Sequence, residues 1–192
     1  MASGEASSPD PMDAGAYDWE CTDDPIEVLL AEHRTILQVL DEVERECRRV
    51  EAQAVLREAF WLDLLRFADE FDTRLHHEKE ERILFPALEQ RGLSPTSGPT
   101  AVLRDEHLRI HHWQARIAEA ITRREKSRLA AATAHYVDVV RSHVLKENQI
   151  LFPLARRLIP ADELARMHRE FRPLAADQSL RHWLRHPYPL GA

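Results

Sequence analysis

Glycine is scarce in this chain, which holds only five, at positions 4, 15, 92, 98 and 191. No glycine lies between Ala16 and Arg91, and none again between Pro99 and Leu190. A strand-rich protein needs turn residues every ten positions or so, so both blocks read as helical. Cysteine is rarer still: Cys21 and Cys47 cannot form a disulfide framework, and they fit a reducing cytoplasm. Basic residues are outnumbered, 26 Lys and Arg against 33 Asp and Glu, which leaves a net charge of −7. That balance, with no basic run, argues against nucleic-acid binding through phosphates. No stretch approaches the roughly 18 consecutive apolar residues of a membrane span. The first twenty residues have neither the basic start nor the apolar core of a secretory signal.

What the chain has in excess is histidine, eleven in 192 residues. The expected frame for them is an all-α fold, an antiparallel four-helix bundle of two pseudo-symmetric helical hairpins with a short C-terminal helical extension. Residues 1–22, rich in Ser, Pro, Gly and Asp, read as a disordered tail. The bundle is expected over 23–159 and a C-terminal helix and tail over 160–192. Asp24-Pro25 should open the first helix, an acidic cap followed by proline at the first helical position. The loop at 91–99 divides the helical part in two. On either side, helices are expected over about 54–90, 99–125 and 128–158, with a short fifth over 161–172.

The second and fourth helices carry the same phrase. One reads His76-His-Glu-Lys-Glu80-Glu-Arg-Ile-Leu-Phe-Pro86, the other His143-Val-Leu-Lys-Glu147-Asn-Gln-Ile-Leu-Phe-Pro153. In each, His and Glu stand four apart, on one helix face. The helix before each copy carries Glu-His, as Glu32-His33 and Glu106-His107. His33 and His107 fall in apolar stripes, so they should point to the same interior. Two buried carboxylates facing each other are costly unless something positive joins them. A pair of divalent cations held by His33, His76, Glu80, His107, His143 and Glu147 would do this. Oxygen and imidazole donors without thiolate suit iron or manganese better than zinc. His77 and Glu81 are also four apart, but their counterparts are Val144 and Asn148, so they read as flanking. His111, one turn beyond His107, is a further candidate ligand. His112 points further round and reads as solvated or packed, and His135, His168, His182 and His186 lack such partners. Tyr136 and Cys47 read as core, as do the two Ile-Leu-Phe-Pro runs, each with a proline kink.

At these residues the chain resembles the hemerythrin-like, or HHE cation-binding, family, over about 25–158. The resemblance implies two Fe ions, oxo- or hydroxo-bridged, with His33 and His76 on one, His107 and His143 on the other, and Glu80 and Glu147 bridging. It also implies a small ligand, O2, NO or H2O2. Oxygen carriers of the family have a second histidine on the third helix, which His111 could supply. They place an aspartate five residues after the last histidine, whereas Glu147 here comes four after His143. That departure points to the bacterial branch, linked to oxygen, nitric oxide, peroxide or iron handling. A carrier, a peroxide- or NO-consuming enzyme, and a storage or sensing module all stay open. So does a homodimer or a protein partner through the C-terminal extension.

Overall fold

The computed structural model describes residues 22–53 and 56–175, with Trp183 and Leu190 beyond them. All regular structure among these residues is helical, in five helices. Helix α1 is Pro25–Gln53. Its start is the expected one, since Asp24 Oδ1 accepts the Ile26 N–H at 2.9 Å and Pro25 follows the cap. Helix α2 runs over 58–89, α3 is Pro99–Thr122, α4 runs over 126–158 and α5 is Ala161–Ala175. Gly98 caps α3, where an added Cβ would sit 2.7 Å from the Ser94 carbonyl oxygen. The tail expected at 1–22 falls almost wholly outside the described residues, as do His182 and His186. No described helix is long and apolar enough to cross a membrane.

Helices α2 and α4 are not uniformly wound. Ala68–His77 and Glu80–Leu84 in α2, and Glu147–Leu151 in α4, are π-helical. The two short wide turns occupy matching places, each ending immediately before Phe-Pro. Proline has no N–H to donate and its ring crowds the carbonyl four residues back, so the preceding turn widens. The kink expected at Pro86 and Pro153 is thus a widened turn, and it holds Glu80 and Glu147.

Two apolar clusters flank a polar layer. One contains Ile36, Phe71, Ile110 and Val140, the other Ile26 and Leu29 of α1 with Leu84, Leu103 and Leu151. Along α1 and α3 the chain passes from the second cluster to the first. Along α2 and α4 it passes the other way, as the helices of a four-helix bundle would. His33, His76, His107 and His143 fall at the crossing between the clusters. Trp183 adds to the first cluster, packed edge-on to Phe67 and donating its indole N–H to Glu70 at 2.8 Å.

Candidate metal centre

Each of the four long helices sends an imidazole into the polar layer, and the Nε2 atoms of His33, His76, His107 and His143 meet in pairs. His33 and His76 approach to 2.9 Å, His107 and His143 to 3.2 Å. Two ring nitrogens so close need a proton or a cation between or beside them. Glu80 and Glu147, both fully buried, lie across the pairs. Glu147 is 3.1 Å from His33 Nε2 and 3.2 Å from His143 Nε2. Glu80 is 3.5 Å from both His76 Nε2 and His107 Nε2. None of the four carboxylate oxygens has a hydrogen-bond partner. Buried carboxylates in that condition are strongly unfavourable, and a divalent pair is the group that fits them. The donors form two overlapping groups: His33, His76, Glu80 and Glu147, and His77, Glu80, His107 and His143.

An outer ring of hydrogen bonds sets each imidazole, and it follows the repeat. His76 Nδ1 lies 3.0 Å from Glu32, and His143 Nδ1 lies 3.3 Å from Glu106. Lys79 and Lys146, each preceding a motif glutamate, bind the second oxygen of Glu32 and Glu106. His33 Nδ1 is 2.7 Å from the Asn148 side-chain oxygen, and His107 Nδ1 is 2.7 Å from Glu81. Nδ1 held by an acceptor leaves Nε2 facing inward with its lone pair free for a metal. Phe152 stacks on His33 and Phe85 on His107, so the two Ile-Leu-Phe-Pro runs also wall the layer.

Each half pairs one histidine raised above its ordinary value with one held below it. Burial pushes His107 down, but Glu80 and Glu81 outweigh it and raise it to about 10. His33 is likewise depressed by burial and raised overall by Glu147 and Glu80. Burial holds His76, His77 and His143 below the ordinary histidine value. Asp72, whose Oδ1 lies 3.5 Å from His77 Nε2, is raised by burial to about 7.

All six residues expected as ligands lie in this layer. His77, expected to flank it, lies in the second group, stacked on His107 at 3.8 Å with a buried, unpartnered Nδ1. Comparing it with Val144 hid this, because a repeat shows only what its two halves share. His111 joins neither group; its Nδ1 is 3.1 Å from Gln114 and its ring 6.3 Å from that of His77. Glu32, Glu106, Lys79 and Lys146 received no role from the sequence, although their recurrence beside each His and Glu was the available signal. Tyr136 and Cys47 pack in or against the first apolar cluster. His77→Ala is expected to weaken one of two metal-binding steps and spare the other, and His111→Ala to spare both. Stepwise titration of the metal-free variants with Fe(II) distinguishes these results.

The family model for the hemerythrin HHE cation-binding domain matches residues 24–155. Three uncharacterized proteins, two from Mycobacterium tuberculosis and one from Mycobacterium bovis, are each 28% identical over 156 residues. Each match covers 76% of this chain and 58% of the relative, so the chain spans under two-thirds of those proteins. No solved structure matches.

Proposed function

The chain belongs to the hemerythrin HHE cation-binding family, and from that premise we propose that it holds two iron ions and binds or reacts with O2, NO or H2O2. The observation that carries the reading is the set of four unpartnered carboxylate oxygens on Glu80 and Glu147, facing inward-turned imidazoles. In this reading the fold is an antiparallel four-helix bundle of two related hairpins, spanning 23–159, in the cytoplasm. His33, His76, Glu80, His107, His143 and Glu147 are the ligands, with His77 added from its position. Once bound, the iron pair supplies electrons and open coordination positions to the small ligand. The protein's own part is positional. Glu32 and Glu106 orient His76 and His143, Asn148 and Glu81 orient His33 and His107, and the apolar clusters keep bulk water out.

A second reading, an iron-dependent sensing or storage module acting through a protein partner, draws on α5. Phe171 of that helix lies over the buried Lys79 ammonium at 5.9 Å, and Lys79 binds the Glu32 that orients His76. Loading the protein anaerobically with Fe(II), then recording spectra after separate additions of O2, NO and H2O2, tests the first reading. A distinct spectral change with at least one of them is expected. Silence with all three, alongside an iron-dependent change in protease cleavage of α5, favours the second.

A further inference from the structure

The duplicated motif predicts two equivalent halves, yet their surroundings are not equivalent. On the His33–His76 side, Lys79 is completely buried and lies beneath Phe171 of α5. His33 is 1% exposed and covered by Phe152. On the other side, Lys146, the counterpart of Lys79, is 36% exposed. There a cavity of about 330 Å³ opens between α2 and α3, lined by Thr73, His77, Arg104, His107, Leu108 and His111 among others. Two of those residues, His77 and His107, belong to the second donor group, so the cavity borders that half of the polar layer. His77 Nδ1 is buried there without a partner, while its Nε2 faces Asp72.

We propose that small ligands reach the centre from one side only, through the α2–α3 cavity, and meet the His77–His107–His143 half. This rests on the metal reading above and adds to it a route. The cavity lining includes two carboxylates, Glu78 and Glu81, and three histidines, with Leu108 its one apolar residue. Arg104, the one Lys or Arg in the lining, already pairs with Glu81 and Glu89. Nothing there holds a large or multiply charged anion, whereas a bound metal pair draws a small monoanion or a neutral diatomic molecule. Leu108, 69% exposed, stands on this wall. Its counterpart one residue after the α1 histidine is Arg34, also exposed.

Azide is the probe, and Leu108→Trp and Arg34→Trp are the matched variants. All three proteins are loaded with iron and oxidised, and their metal content is measured before azide is added. Leu108→Trp is expected to slow azide association and dissociation together, each about tenfold or more, with Kd and the metal spectrum unchanged. A plug in the passage does this, since it raises the barrier without altering the end states. Arg34→Trp is expected to leave both rates alone. Equal rates in the two variants, or slowing in Arg34→Trp instead, would overturn the one-sided route while leaving the metal reading intact. Fewer than two metals in the parent protein would overturn both, and that result is visible before azide enters.

Discussion

Glu147→Ala and His76→Ala should each emerge from purification with most of their metal gone. Glu147 lies within 3.2 Å of a histidine Nε2 from either half, so in the proposed two-ion centre its removal is expected to affect both ions. His76 pairs with His33 at 2.9 Å on one half and stands 3.5 Å from Glu80, which belongs to both donor groups. Losing a residue that merely supports a ligand weakens metal affinity by roughly 10- to 100-fold. Losing a direct ligand shared between two ions should exceed that. Glu78, on the same helix as His76 but half-buried and paired with Arg82, is the control, and Glu78→Ala should retain two metals. Metal analysis of the three purified variants checks the expectation. Glu147→Gln sharpens it because the size of the side chain is kept and the charge removed. It should lose metal as Glu147→Ala does. Full metal content in Glu147→Gln would refute the shared-ligand role.

The sequence exposed what is repeated and hid what is not. Helical periodicity, the Asp24-Pro25 start and the break at 91–99 were legible because each is local chemistry. The polar layer was legible because His-x-x-x-Glu occurs twice beside Glu-His. The widened turns were not, since periodicity alone cannot show that Ile-Leu-Phe-Pro shifts the preceding turn from α to π winding. His77 escaped for a different reason. Its partner Asp72 has Val139 as its counterpart, so the Asp72–His77 pair has no echo in the second copy. The same holds for the burial of Lys79, which depends on α5, an element outside the repeat. Asymmetry between duplicated halves is set by contacts with unduplicated parts of the chain, and a comparison of the two copies discards it.

Adding Fe(II) to the metal-free protein should raise its melting temperature by about 8–16 °C. Binding to the folded chain alone contributes about 4 kcal/mol at a thousandfold excess over Kd. For a chain of this size each kcal/mol moves the melting point by about 2–4 °C. The gain should depend on pH, and the direction follows from His33 and His107. Both are more basic in the metal-free fold than an ordinary histidine, His107 reaching about 10. A raised folded value means that each proton stabilises the metal-free fold below the unfolded value of about 6.5. For His107 that contribution fades as pH climbs toward 10. Metal binding requires the same nitrogens without their protons, so loading releases protons and grows tighter as pH rises. His76 and His143, held below the ordinary value by burial, already stand neutral near pH 7 and add little to this dependence. The gap between loaded and metal-free melting temperatures should therefore widen from about pH 6 to about pH 8, and calorimetry at both values measures it. A gap that narrows with rising pH would mean that the metal enters somewhere other than between these imidazoles, because only there must it displace their protons.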